Sequence, residues 1–279
     1  MTGSKVQPPA RSFPTEVVAR YRVRFAKRGP LRFTSHRDVA RAFERAVRRG
    51  GVPITWSSGF TPHPRLSWAG AAPTGVASEA EYVELGLAVD VEPERLRAAL
   101  DVALPHGLDV LQVARSSPGA LADLLQVGGW HLRLDGIAPA QARAAVEVFL
   151  AQESVEVEKR TKSGMRLVDV RGPVVSLAVE DEPGGADPTG GAPADRPEGG
   201  TPRAILRLVV RQVTPAVRPD DVLTGLRAVA DLDGSSPLVA TRLAQGALRA
   251  DGGIADPLAP DPGAADAGVG AAADGPPRP

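Results

Sequence analysis

The sequence predicts an α+β protein made of two ferredoxin-like halves, each a split βαββαβ unit with an antiparallel sheet. Its 279 residues, of which 43% are hydrophobic, are enough for two ordinary cores. Strand-like and helix-like patterns follow one another in the order βαββαβ up to residue 114, and a comparable series begins at residue 130. We therefore expect a first domain at residues 20–127 and a second at residues 128–250.

The first half opens with YRVRF (residues 21–25), where apolar and basic residues alternate as in a half-buried strand with its arginines in solvent. A helix follows, with Ser35 as N-cap, Asp38 three residues later and a glycine pair at its end. Helical spacing places one apolar stripe at Val39, Ala42, Phe43, Ala46 and Val47. Further strands are predicted at residues 52–57, 81–89 and 108–114, with a helix at 93–104.

The second half contains one strand-like segment more than a βαββαβ unit requires. Alternating residues predict its strands, and 3.6-residue periodicity predicts its helices. The predicted strands span residues 130–134, 154–158, 165–170, 204–212 and 237–243, and the predicted helices span 139–151 and a segment that begins at Pro219. The pattern therefore supports a duplication but leaves one strand unassigned.

Three segments are predicted to lack stable structure. They are a flexible N-terminus at residues 1–19, an insertion at about residues 181–202 and a tail at residues 251–279. The insertion and the tail consist mainly of Gly, Pro, Ala and Asp, so they cannot bury enough apolar surface to offset the entropy of ordering. We expect no chemistry in them.

Composition argues against several kinds of chemistry. The chain has no cysteine, which rules out disulfides, thiolate zinc sites and cysteine-ligated iron–sulfur clusters. Its histidines show no metal-ligand spacing; they are His36, His63, His106 and His131. We therefore expect no metal and no cofactor. No apolar run reaches the roughly 18 to 20 residues of a membrane helix, and the first residues lack the apolar core of a signal peptide, so we expect a cytoplasmic protein without membrane contact.

Positive charge is concentrated near the start of the chain, although the formal net charge is zero. Residues 20–65 hold twelve Lys and Arg against only Asp38 and Glu44. Such a concentration is typical of proteins that bind polyanions. An arginine-rich solvated surface, produced by genome composition without any function, explains the charge equally well.

A long connection is predicted between the second and third strands, from residue 58 to residue 80. Within it, Pro62 and Pro64 flank His63 and restrict the backbone to extended geometry. Loops of more than about 12 to 15 residues in compact domains are usually functional or disordered, and the aromatic residues here argue against disorder. The loop is therefore expected to hold polar groups in fixed positions.

Three motifs lie before and within this connection: LRFTSHRD (31–38), SSGFTPHP (57–64) and GVASE (75–79). They resemble the helix start, the loop and the segment that ends the loop in the uncharacterised radical SAM-linked proteins, which open with a basic strand like that of residues 21–25. The likeness extends over about residues 20–245. Members of that family are encoded beside, or fused to, a radical SAM enzyme, so the resemblance implies such an enzyme as a partner. Because the chain lacks the three cysteines that hold a radical SAM cluster, it cannot be the radical enzyme itself and would be a partner, which we expect to have no activity of its own.

The candidate residues for binding phosphate, RNA or a protein partner are Arg32, Ser35, His36, Arg37, Arg41, Phe60, His63 and Arg65. A helix N-terminus offers free N–H groups and partial positive charge, arginines bind phosphates, and exposed aromatic rings stack on bases. We expect the loop to fold over the helix start, so that the two histidines share one electropositive pocket. The alternative is a structural role for both histidines and a core position for the aromatic residues, which we favour for Trp68. A secondary basic hairpin contains Lys159, Arg160 and Lys162.

Three functions remain open at this point. The first is a noncatalytic accessory partner of a radical SAM enzyme that binds structured RNA or another phosphate-bearing substrate. The second is a metal-free endoribonuclease, suggested by the architecture of the RAMP-like RNA-processing proteins alone. The third is a protein-interaction module whose basic face docks an acidic surface.

Overall fold

The structure is a computed structural model that describes residues 13–161, 164–180, 202–230, 232 and 238–259. Its strands are β1 (Ala19–Lys27), β2 (Leu66–Ala69), β3 (Ala77–Leu87), β4 (Val110–Arg115), β5 (Val127–Asp135), β6 (Glu156–Thr161), β7 (Gly164–Asp169), β8 (Val174–Val179), β9 (Arg203–Arg211) and β10 (Val239–Gly246). Its helices are α1 (His36–Arg49), α2 (Pro93–Ala103), α3 (Leu121–Leu124), α4 (Pro139–Leu150) and α5 (Pro219–Val229), with a 3-10 helix at Gly29–Phe33.

Eight strands form one sheet in the order β4-β1-β3-β10-β5-β9-β8, with β2 also paired to β3. Neighbouring strands run antiparallel except for β3 and β10, which are parallel where Ala77 and Ser78 lie opposite Thr241 and Arg242. The predicted α+β class with a mostly antiparallel sheet is confirmed. The expectation of one sheet per half is wrong, because the β3–β10 pair joins both halves into a continuous sheet.

Helix α1 begins and ends where its sequence predicts. Ser35 precedes it in extended geometry, and its hydroxyl accepts a hydrogen bond from the Asp38 amide at 3.3 Å. The five residues of the apolar stripe are all buried. The Phe43 ring packs against Phe25 of β1, with centroids 4.7 Å apart, so the stripe anchors the helix to the first-half core.

The second strand of the first half lies later in the chain than its predicted position. Residues 52–57 form only isolated bridges, from Ile54 to Leu87 and from Trp56 to Pro64. Pro53 has no amide hydrogen to give to a ladder, which weakens strand pairing there. The paired strand is β2, inside the predicted 58–80 loop, so that long connection is in fact two shorter ones.

The second half has the strand order β10-β5-β9-β8 and the helices α4 and α5. The unassigned strand is explained by β6 and β7, which form a separate two-stranded sheet. Strand β8 was not predicted from the sequence. Helix α5 approaches its neighbours closely, because a Cβ on Gly225 would lie 2.6 Å from Val170 and 3.2 Å from Phe149.

The arginines of β1 are not all in solvent, contrary to the strand pattern. Arg22 is 1% exposed and donates hydrogen bonds to the Ser117 hydroxyl at 2.7 Å and to the Gly119 carbonyl at 2.7 Å. It also pairs with Glu84 at 3.3 Å. The segment that follows β4 therefore covers the sheet face that the alternation had assigned to water.

The prediction of a disordered tail is wrong for residues 251–259. Leu258 is 5% exposed and packs with Tyr82, Leu121 and Leu125, and Ile254 bridges to Leu248.

The predicted flexible N-terminus is likewise wrong for residues 13–19, where the Phe13 ring lies 4.5 Å from the Trp56 ring and the Val18 amide donates to the Leu87 carbonyl at 2.8 Å. Residues 1–12, 181–201 and 260–279 lie outside the described residues, so the predicted disorder there stays a prediction. Among the described residues, no helix has the length and apolar character required to cross a membrane.

Candidate ligand-binding sites

The start of α1 is organised by its own residues. The Ser35 hydroxyl donates to the Asp38 carboxylate at 2.6 Å in addition to capping the helix. His36 is exposed, and its ring lies 5.2 Å from the Trp68 ring in an edge-on arrangement. Trp68 in turn contacts Phe43 and Phe25 at 5.2 and 6.1 Å. Trp68 is thus partly buried and packs against the first-half core, as expected, and His36 lies at the edge of that core.

The predicted arginines near this helix differ in their surroundings. Arg37 and Arg41 are exposed, and Arg41 forms an ion pair with Asp38 at 3.6 Å in which both side chains are more than half exposed. The Nε atom of Arg32 is buried and has no hydrogen-bond partner within the described part of the chain. The carbonyl of Arg32 accepts a bond from the Gly75 amide at 2.8 Å, so this arginine lies against the β2–β3 connection.

The proline-rich loop is closed at its base. The Ser57 amide donates to the His63 carbonyl at 2.8 Å, and the His63 amide donates to the Ser57 hydroxyl at 3.0 Å. The Arg65 amide donates to the Thr55 carbonyl at 2.8 Å and its Nε donates to the Trp56 carbonyl at 3.3 Å. Between these anchors, Phe60 is fully exposed. A core position for Phe60 is therefore excluded.

The contacts place the two candidate histidines on different neighbours. His36 lies against Trp68, whereas His63 is bonded through its backbone to Ser57. Within the described residues, no hydrogen bond, ion pair or ring contact joins the two histidines. The shared pocket therefore stays a prediction. We call the exposed residues Arg37 and Arg41 of α1 and Phe60 of the loop the surface basic region, although no contact among the described residues joins Phe60 to either arginine.

The basic hairpin has a structural role at one of its three positions. Lys159 forms an ion pair with Asp221 and donates to the Ala216 carbonyl at 2.6 Å. Asp221 also accepts a bond from the Arg218 amide at 2.7 Å, at the start of α5. Lys159 therefore attaches the hairpin to α5. Arg160 is exposed, and Lys162 lies outside the described residues.

A second region, absent from the sequence prediction, lies where β3 and β10 meet. Five polar side chains are buried there and form what we call the junction cluster: Lys27, Ser78, Glu81, Arg242 and Gln245. Glu81 pairs with Arg242, and one of its oxygens accepts a bond from the Ala72 amide at 3.0 Å. Arg242 also donates to the Ser78 hydroxyl at 3.3 Å. The cluster thus fixes both halves and the β2–β3 connection to one another.

Electrostatics favour the charged form of Glu81 in the cluster. Burial alone would raise the pKa of Glu81, but the pKa is lowered because Arg242, Ser78, the Ala72 amide and Lys27 stabilise the carboxylate. Burial lowers the pKa of Lys27, against the attraction of Glu81. The Lys27 ammonium donates to the carbonyls of Ala72 and Pro73 at 3.3 and 3.1 Å. Each buried charge therefore has a partner.

Gln245 extends this network toward a cavity. Its amide nitrogen donates to the carbonyls of Ala80 and Gly70 at 2.7 and 3.1 Å, and its oxygen accepts from Gln212 at 3.2 Å. Beside it lies a cavity of about 210 Å³, which we call the junction cavity. Gly70, Ala71 and Pro73 line it from the first half, and β5, β9, β10 and the segment before α5 line it from the second.

Two sequence signals could have indicated this site. Arg242 lies in the middle of the otherwise mostly apolar strand VATRLA, and a lone charge there requires a buried partner or a ligand. Trp130 follows the pair Gly128–Gly129 in β5, where glycines inside a strand often mark a close approach of other groups. Which carboxylate would meet Arg242 did not follow from local pattern, because Glu81 is 161 residues away in sequence.

Comparison with known proteins gives a family but no function. A family model described as "Uncharacterized protein conserved in bacteria (DUF2344)" matches residues 20–219. No curated protein sequence matches the chain. One similar solved structure is the crystal structure of an unknown protein from Galdieria sulphuraria, at 14% identity over 81% of this chain and 99% of that one. Its TM-score of 0.22 is too low for any argument about fold.

Proposed function

The chain belongs to the DUF2344 family of uncharacterized proteins conserved in bacteria, and from that premise we propose that it is a noncatalytic accessory partner of a radical SAM enzyme. In this proposal it binds structured RNA or another phosphate-bearing substrate through the surface basic region. The motifs that resemble radical SAM-linked proteins support the partner, and the absence of cysteine means that the radical chemistry belongs to that partner.

We also interpret the two halves as ferredoxin-like units. The first half has the order β4-β1-β3-β2 and the second has β10-β5-β9-β8, so each has its first strand between its last and its third. Each half carries two helices that contact each other, α1 with α2 and α4 with α5. An experimental structure with helices on opposite faces of either half would contradict this interpretation.

The observation that carries the RNA proposal is the exposed Phe60 on the anchored loop. A fully exposed aromatic ring contributes nothing to a core, and it stacks well on a nucleic-acid base. Both arginines of the surface basic region are on the exposed side of α1, where they can bind phosphates. Arg22 and Lys27 are buried, so the positive surface is smaller than the charges of the sequence suggested.

A binding series with a structured RNA tests the proposal. We expect Phe60→Ala to weaken binding by about 1 to 3 kcal/mol if a base stacks on the ring. The double variant Arg37→Ala, Arg41→Ala should reduce the slope of log K against log salt by roughly 1 for each phosphate that the protein no longer neutralises. Arg249→Ala, at an exposed arginine near the C-terminal turns, is the matched control and should bind as wild type. Fluorescence anisotropy at several salt concentrations provides both readouts.

The alternatives give different results in the same series. Salt-independent or undetectable RNA binding, together with capture of an acidic protein by the surface basic region, would support the interaction module instead. Cleavage of the RNA in the presence of EDTA would support the endoribonuclease. Wild-type affinity in both the Phe60 and the arginine variants would refute a role for the surface basic region.

A further inference from the structure

We propose that the junction cavity is a second binding site, specific for a small ligand that carries a phosphate or carboxylate group. It is separate from the surface basic region and lies between the two halves of the protein. The inference rests on the hydrogen-bonding character of its walls, on one unpartnered buried donor and on its size.

The charged walls of the cavity are positive. Arg211, Arg218 and Arg242 line it, and no Asp or Glu is among the described residues that do so. Neither Arg211 nor Arg218 forms an ion pair through its side chain with a described residue. On the α5 side, Asp220 interacts electrostatically with Arg218. The Asp221 carboxylate accepts a hydrogen bond from the Arg218 amide at 2.7 Å while it pairs with Lys159. Guanidinium groups donate hydrogen bonds and accept none, so these walls favour a ligand rich in acceptor oxygens.

Trp130 supplies a donor that has no acceptor. Its side chain lines the cavity, the residue is 8% exposed, and its Nε1 atom has no hydrogen-bond partner among the described residues. The indole lies over Gly128, and Nε1 is the atom nearest to the space that a Cβ there would fill, at 2.9 Å. Gly128 also lines the cavity. A buried indole N–H is normally paired, and a ligand oxygen in this space would pair it.

Arg242 is the third feature of the cavity wall that suits an anionic ligand. Its Nε and Nη2 atoms bond Ser78 and Glu81, while Nη1 makes no hydrogen bond with a described residue. Its guanidinium carbon lies 5.5 Å from the centre of the Trp130 ring. Glu81 already offsets part of the charge of Arg242. Arg242 therefore orients a ligand oxygen through a hydrogen bond and adds little net attraction for the ligand. The surface arginines Arg211 and Arg218 then supply the net positive charge.

The volume limits the ligand. A cavity of about 210 Å³ has room for several water molecules. That is enough for a phosphate, a diphosphate or a small carboxylate. A folded RNA is too large to enter and could place only one phosphate group in the cavity. A small ligand here would contact both halves, so its binding should also stabilise their association.

Calorimetric titration of the full-length protein at constant ionic strength tests the proposal, with inorganic phosphate, inorganic pyrophosphate and malonate as probes. We expect saturable binding of at least one probe and a rise in Tm that increases with its concentration. Stronger binding of the phosphate probes would identify a phosphate ligand, and stronger binding of malonate a carboxylate. The double variant Arg211→Gln, Arg218→Gln should bind the preferred probe about tenfold or more weakly, because it removes charge-assisted hydrogen bonds.

Trp130→Phe removes the indole N–H together with the pyrrole ring and keeps a six-membered aromatic ring. We expect weaker probe binding and a small loss of Tm in the unliganded protein, because the smaller ring leaves space in the core. Arg249→Gln is the control for the change in charge, and the Arg37→Ala, Arg41→Ala variant should bind the probes as wild type. No saturable binding by wild type would mean that the cavity holds only water, and wild-type affinity in the Arg211, Arg218 variant would equally overturn the proposal. If only the Arg37, Arg41 variant lost binding, the probe would occupy the surface basic region, and this inference would fail while the proposed function gained support.

Discussion

The surface basic region and the junction cluster both contain arginines close to a carboxylate, but their exposure to water differs greatly. Arg41 and Asp38 are 57% and 56% exposed, whereas Arg242 and Glu81 are 4% and 7% exposed in their side chains. Water and salt screen the first pair, so its contribution to stability is about 0 to 1 kcal/mol. The second pair has lost its hydration, so each partner depends on the other.

The same residue types therefore serve different purposes on the exposed helix α1 and at the buried β3–β10 junction. A weakly paired surface arginine remains available for an external anion at little cost in stability. A buried pair is required for the stability of the fold and is not free to bind an external anion. Here the pair joins strands from both halves. The junction cavity combines the two cases, since Arg242 is committed while Arg211 and Arg218 remain exposed.

The largest expected difference is between Glu81→Ala and Arg41→Ala. Removal of Glu81 leaves Arg242 and Lys27 buried without their carboxylate, so we expect a loss of about 3 to 5 kcal/mol in the free energy of unfolding. Arg41→Ala breaks an exposed pair and should cost less than about 1 kcal/mol. Urea unfolding followed by circular dichroism measures both. Equal losses of unfolding free energy in Glu81→Ala and Arg41→Ala would contradict the expected difference between the buried and the exposed ion pair.

Glu81 should also make stability depend on pH in the acid range. Its pKa in the folded protein lies below its ordinary value of 4.5, so between the two values the unfolded chain binds more protons than the folded one. The stabilisation is therefore complete above about pH 4.5 and is lost as the pH falls through the folded pKa. Urea midpoints between about pH 6 and pH 3 should show this loss in wild type. In Glu81→Gln, which has no carboxyl group to titrate, the decrease should be smaller.

Two glycines have nearly the same φ, so alanine variants of them distinguish the cost of a steric clash from the cost of left-handed backbone strain. Gly70 has φ +59°, and a Cβ there would lie 2.5 Å from the Gln245 side-chain oxygen and 2.9 Å from Leu125. Gly51, after α1, has φ +61° and nothing within 4 Å. We expect Gly70→Ala to cost about 2 to 4 kcal/mol and Gly51→Ala about 1 to 2 kcal/mol, because only the first adds a steric clash to the left-handed strain. Thermal unfolding of both variants checks this order, which a larger loss in Gly51→Ala would reverse.

The smallest expected effect on stability is that of Phe60→Ala. Because the ring is fully exposed, its removal should change the free energy of unfolding by less than about 0.5 kcal/mol. The same variant should show its effect in RNA affinity instead. A clear loss of stability in chemical denaturation would show that Phe60 packs against the protein in solution, and it would weaken the case for an RNA-stacking role.

Local sequence was sufficient for the elements whose structure depends on near neighbours. The helix at α1 followed from the Ser35 cap and a stripe of residues spaced for one helical face, since capping and one-sided burial act within a few turns. Strands β5 and β9 likewise lie at their predicted positions apart from a few residues at the ends. The mostly antiparallel α+β class also followed from the order of these elements.

Contacts between distant residues decided the rest. Ser78 and Arg242, 164 positions apart, meet only because β3 and β10 pair, and no local periodicity specifies which strands become neighbours. Arg22 is buried because residues after β4 cover that face of the sheet, although its own strand alternates like an exposed one. The sequence alone therefore determined most of the helices and strands, although not β2 or β8, and which charges are present. The tertiary structure decided which of those charges are shielded from water, and only there did the junction cluster and its cavity arise.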